Sequence, residues 1–120
     1  MPVPLYQAKA DFFRTLGHPV RIRVLELLQA GPLPVRELLA NLNVEASNLS
    51  QQLAVLRRTG IVVSSREGST VMYALSSDEV VNLLKVARTI LADLIAGQEE
   101  LLAELRESEA PSAGGSGSSV

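Results

Sequence analysis

The chain has 120 residues, 47% of them apolar but only 3% aromatic, with a formal net charge of −2. That length holds one domain with an aliphatic core, and so much apolar content in so small a chain predicts that part of it is buried against a second copy. With no cysteine, the chain has no disulfide, thiolate nucleophile, thiolate metal site or thiol redox sensor, and the single histidine, His18, leaves no material for a multi-histidine metal site or a catalytic triad with a spare base.

Leu5, Ala8, Phe12, Phe13 and Leu16 recur at helical spacing and predict a first helix over about 5–16, stopped by Gly17. His18-Pro19 restarts the chain. Val20, Ile22, Val24, Leu25, Leu27 and Leu28 predict a second, central helix with Pro19 near its first position and its end at Ala30-Gly31-Pro32. Val35, Leu38, Leu39 and Leu42 predict a short third helix, followed by a turn through Asn41-Leu42-Asn43-Val44.

A fourth helix is expected from Ala46 to Thr59, closed by Gly60. Its Leu49, Leu53 and Leu56 form one stripe; at about 100° per residue, Ser47, Gln51, Ala54 and Arg58 lie opposite, flanked by Asn48, Ser50, Val55 and Arg57. Two β-type runs, 61–66 and 70–75, enclose Glu67-Gly68-Ser69 and predict a hairpin. Ser76-Ser77-Asp78-Glu79 reads as a capping box in which Ser76 caps and Glu79 reaches back. From there Val80, Leu83, Leu84, Ala87, Ile90, Leu91, Leu94, Ile95, Leu101, Leu102 and Leu105 keep a helical register past Gly97. Residues 107–120, rich in Glu, Ser, Pro and Gly, have nothing to bury and are expected as a disordered tail to a domain spanning 1–106.

Charge is unevenly spread. From Arg14 to Tyr73 seven arginines stand against four glutamates, a balance of +3, whereas from Leu75 onward three basic residues face eight acidic ones, a balance of −5. Only the middle segment suits a phosphate backbone. The expected fold is mainly α with a β-hairpin wing, in the order α-α-α-α-β-β-α: a winged helix-turn-helix. The major groove admits one helix, whose base-facing side needs short hydrogen-bonding groups, and Ser47, Asn48, Ser50, Gln51 and Gln52 supply them. Gln51 suits a bidentate pairing with adenine. Arg57, Arg58 and Arg66, with Ser69 and Thr70 at the hairpin turn, complete the candidate DNA-binding set. A final helix of about seven turns exceeds what so small a core covers, so Leu84, Ala87, Ile90, Leu91, Leu94 and Ile95, with Leu5 and Phe12 of the first helix, are the candidate dimer interface.

The runs from Phe12 to Leu25, containing Leu16-Gly17-His18-Pro19-Val20-Arg21, and from Ser47 to Val62, containing Ser50-Gln51-Gln52-Leu53 and Thr59-Gly60-Ile61, resemble the ArsR/SmtB family of winged-helix repressors over about residues 5–105. The resemblance implies a homodimer joined through its first and last helices, a fourth helix in each major groove, and an effector that releases DNA. It also implies a structural role for His18. The metal-sensing members use cysteines and histidines that are absent here, so transition-metal and arsenite sensing are not expected.

The resulting expectation is a cytoplasmic, non-enzymatic, dimeric repressor of an inverted-repeat operator in double-stranded DNA, with no cofactor, no metal, no membrane association and an unidentified effector. The first residues, Met1-Pro2-Val3-Pro4, carry no secretory pattern. The rival is a winged helix that serves only protein interaction, consistent with the acidic balance and apolar excess.

Overall fold

In a computed structural model, which describes residues 2–109, the order is α1 (Leu5–Leu16), α2 (Pro19–Leu27) with a 3-10 turn Leu28–Ala30, β1 (Leu33–Pro34), α3 (Val35–Ala40), α4 (Ala46–Arg58), β2 (Val62–Glu67), β3 (Thr70–Leu75) and α5 (Glu79–Glu109). The chain divides into two units, one reaching to Leu83 and one starting at Leu84 inside α5.

The first unit has its core around α2, where Val24 and Leu25 are wholly buried, with Leu38 of α3 and Leu49, Leu53 and Leu56 of α4 closing over it. His18 caps α2: its Nδ1 accepts a hydrogen bond from the Val20 amide at 3.2 Å, and Pro19 occupies the first turn, where a missing N–H leaves no broken bond. The expected structural role of His18 is thus that of a helix cap.

The end of α4 fixes where the hairpin begins. Gly60 donates to the Arg57 carbonyl at 3.0 Å and Ile61 to the Leu56 carbonyl at 3.1 Å, while Gly60 takes φ +82, a conformation that a side chain disfavours. This paired set of bonds reverses the chain, and the buried Ile61 and Leu56 supply its apolar contact. β2 and β3 then pair antiparallel from Val62↔Leu75 to Glu67↔Thr70, so the loop is two residues, Gly68-Ser69, with Gly68 at φ +65 as a tight hairpin turn requires.

The sheet has a third strand for which the sequence pattern holds no sign. β1 lies on the far side of β3, pairing Leu33 with Tyr73 and Pro34 with Met72. Two residues carry no alternation, and Pro34 is tolerated because β1 is an edge. The strand ties the chain entering α3 to the middle of the wing.

Two sequence expectations shift by a few residues. The Ser76 amide and hydroxyl both donate to the Ile61 carbonyl, at 2.9 and 3.0 Å, which closes the open end of the hairpin. The hydroxyl that accepts from the Glu79 amide, at 3.0 Å, is therefore that of Ser77. At the other end α5 runs to Glu109, three residues into the segment expected as a tail, because Glu107, Ser108 and Glu109 hold no helix breaker and Ser108 bonds back to the Leu105 carbonyl at 3.1 Å. Residues 110–120 of the expected tail lie outside the described residues.

The second unit, in its described part, is the remainder of α5. Gly97 is accommodated within it, and none of the described helices is long and apolar enough to cross a membrane.

Candidate nucleic-acid interface

α3, the turn over 41–45 and α4 make the helix-turn-helix, and β2–β3 is the wing that follows. α4 exists because its leucine stripe is drawn into the core: Leu49 and Leu56 have no exposed surface and Leu53 has 2%. That burial fixes the rotation of the helix, so Ser47, Ser50, Gln51, Ala54, Arg57 and Arg58 stand in solvent. Ala54, Arg57 and Arg58 line an open depression on that face. The outward side thus offers short hydroxyls and an amide toward its N-terminal half and two guanidinium groups at its end.

The guanidinium groups are uncommitted. The described residues contain two ion pairs, Arg14 with Asp11 and Arg23 with Glu26, and neither involves Arg57, Arg58 or the wing's Arg66. Arg66 is exposed opposite Val71, Ser69 is exposed in the turn, and Thr70 is half-buried against Glu67. Each of these is placed where the sequence pattern puts it, on the polar side of α4 or near the wing tip.

Gln52 is the correction. It is 8% exposed, the one polar side chain in the core among the described residues, and its amide is engaged inside the chain. Its Oε1 accepts from Arg21 Nε at 2.7 Å, and its Nε2 donates to Asn48 Oδ1 at 2.9 Å. The reason lies in the helical period: Gln52 stands only about 60° from Leu49, well inside the arc that the core occupies. Asn48 is half-buried on the rim of the polar face, tied to Gln52. Arg21, which no sequence motif marks as a site residue, also donates from Nη1 to the Thr15 carbonyl at 3.0 Å. Of the two arginines in α2, Arg23 is exposed and pairs with Glu26, whereas Arg21 is half-buried and turned toward α4.

The candidate dimer residues are largely in solvent. In the first unit Leu5 is 69% exposed and Phe12 37%; in the second, Ile90, Leu91, Leu94 and Ile95 are each more than half exposed, Ala87 is exposed and Leu84 half-buried. No cluster of three or more His, Cys, Asp or Glu side chains occurs among the described residues.

This geometry is that of a winged helix-turn-helix DNA-binding protein. Residues 18–64 match the family described as bacterial regulatory protein, arsR family. The chain is 47% identical over 104 residues to Rv0081 of Mycobacterium tuberculosis, an HTH-type transcriptional regulator, covering 86% of this chain and 91% of that one. The crystal structure of Rv0081 superposes with a TM-score of 0.75 over 81% of this chain and 98% of that chain. The biofilm growth-associated repressor of Agrobacterium fabrum is 35% identical over 94 residues, 75% of this chain and 80% of its own. The transcriptional activator HlyU of Vibrio cholerae is 38% identical over 73 residues, 61% of this chain and 68% of its own. The chain belongs to the arsR family of bacterial transcriptional regulators.

Proposed function

We propose that the protein is a cytoplasmic, dimeric repressor that inserts α4 of each subunit into the major groove of an inverted-repeat operator. Its half-sites lie roughly 34–36 Å apart, one turn of the duplex. Ser47, Asn48, Ser50 and Gln51 face the bases; Arg57, Arg58, Arg66, Ser69 and Thr70 take the backbone. Release answers a signal other than thiol chemistry, since the chain has no cysteine. The protein performs no catalysis: its one imidazole is spent capping α2.

The observation that carries this reading is the outward face of α4. Exposed polar side chains short enough to meet base edges share it with two arginines that, among the described residues, no carboxylate neutralises. Similarity to a repressor from Agrobacterium fabrum supports the sign of regulation.

The salt dependence of DNA affinity tests it. Replacing Arg57 and Arg58 together by alanine should weaken binding to every sequence and flatten the slope of log affinity against log salt by about two per subunit. An unchanged slope would favour the protein-interaction module instead.

A further inference from the structure

We propose that Arg21 and Gln52 are positioning residues that make Asn48 a donor-only reader, aimed at a keto oxygen of guanine or thymine in the major groove. The proposal rests on α4 being the recognition helix and goes beyond it by assigning the chemistry of one contact.

The Arg21 guanidinium carries only donors. Arg21 Nε lies 2.7 Å from the end of the Gln52 side chain, so the atom meeting it is the amide oxygen. The nitrogen of that amide then points to Asn48, at 2.9 Å, and a nitrogen donor can be met there only by an oxygen. One arginine sets the direction of two consecutive amides, which removes the ambiguity between nitrogen and oxygen that a free amide has. Arg21 is itself held, since its Nη1 donates to the Thr15 carbonyl at 3.0 Å.

What remains of Asn48 is its NH₂ group. Among the described residues it makes no hydrogen bond, and no buried side-chain nitrogen or oxygen lacks a partner, so this group is open to solvent. An asparagine with both ends free pairs with adenine, taking N7 and N6 together. Asn48 lacks that two-point option, because its oxygen is engaged; adenine then offers the outward donors N7 alone and sets its N6 amino group against them, whereas guanine offers acceptors at both N7 and O6. Guanine O6 and thymine O4 accept. Turning the Asn48 amide over would strand Gln52 Nε2 at a position only 8% exposed, a penalty that holds the direction. The adjacent Gln51 is exposed and makes no such bond, so it keeps the adenine pairing. Two neighbouring amides thereby read opposite chemistries.

The test compares base preferences of the full-length wild-type, Gln52→Glu, Gln52→Leu and Asn48→Ala chains by sequencing DNA bound from a randomised library, with thermal melting as the check on folding. The wild type should prefer guanine or thymine by about tenfold at one position of each half-site, and Asn48→Ala should flatten that position alone. Gln52→Glu keeps an acceptor for Arg21 but offers Asn48 no donor; the Asn48 amide turns its oxygen outward, and preference at that position moves to the amino-bearing adenine or cytosine. Gln52→Leu, which decides the matter if the glutamate variant does not fold, frees Asn48 and makes adenine as acceptable as guanine or thymine there. The proposal is overturned if the folded variants keep the wild-type base at that position, or if they lose affinity equally at all positions. A wild-type chain that enriches no sequence overturns the recognition-helix reading itself.

Discussion

Two helices of this chain leave opposite kinds of surface to water. α4 buries its leucines completely and exposes serines, glutamine and arginines. α5 from Leu84 onward exposes Ile90, Leu91, Leu94, Ile95, Leu101, Leu102 and Leu105, each at 49–57%. A polar face rich in free cations is complete in water and suits a hydrated polyanion; a contiguous apolar face is incomplete without another protein surface. The acidic balance of the second region strengthens the contrast, since Glu99, Glu100, Glu104 and Glu107 are exposed beside that apolar stripe and repel phosphate. On the proposed reading, the first region meets DNA and the second meets another copy of the chain.

Replacing the apolar stripe's centre breaks that division most severely. In Leu91→Glu or Leu94→Glu, a carboxylate at the subunit interface should cost roughly 3–5 kcal/mol and leave a single chain of 12.9 kDa by light scattering. Operator binding should fall with it, since one half-site offers few contacts. Unchanged mass in both variants would remove α5 from the interface. On the inward side of α4, Leu53→Ala should lower stability by about 2–5 kcal/mol, read by thermal or denaturant unfolding, because the site is closed on all sides. A shift under about 0.5 kcal/mol, the scale of ordinary surface substitutions, would mean that α4 is not anchored by its leucines.

Smaller effects separate the two jobs within the DNA-facing region. Gln51→Ala should cost about 1–3 kcal/mol and relax preference at one operator position. An equal loss on every sequence would make Gln51 a backbone contact and rotate α4 by part of a turn. Arg66→Ala should weaken all DNA alike and lower the salt slope by about one per subunit, without changing preference. The smallest expected effect is none: stoichiometric Zn²⁺, Cd²⁺ or arsenite should leave the operator complex intact, whereas tight zinc binding by calorimetry that abolished the complex would contradict it.

Much of this was legible in the residues because the signals were periodic. α1, α2, α4 and the hairpin follow from apolar spacing and from Pro19, Gly60 and Gly68, each of which changes the backbone in a way few other residues can. β1 was not legible, since a two-residue strand is created by its partner and not by its own pattern. The identity of the cap before α5 depended on Ser76 being occupied by Ile61, fifteen residues away in sequence. Gln52 is the instructive case: its residue type suggested a base contact, its angle on the helix said core, and Arg21 of α2 supplied the partner that makes a buried amide affordable. In the candidate site, angle outranked residue type.

Two copies of this chain, joined through an apolar face, should each read one half-site with α4. Selecting bound sequences from randomised duplex DNA with the full chain tests it most directly. The expected product is an inverted repeat with half-site centres about 10–10.5 base pairs apart. Enrichment of no sequence, or of a single unrepeated half-site bound by one chain, would contradict it.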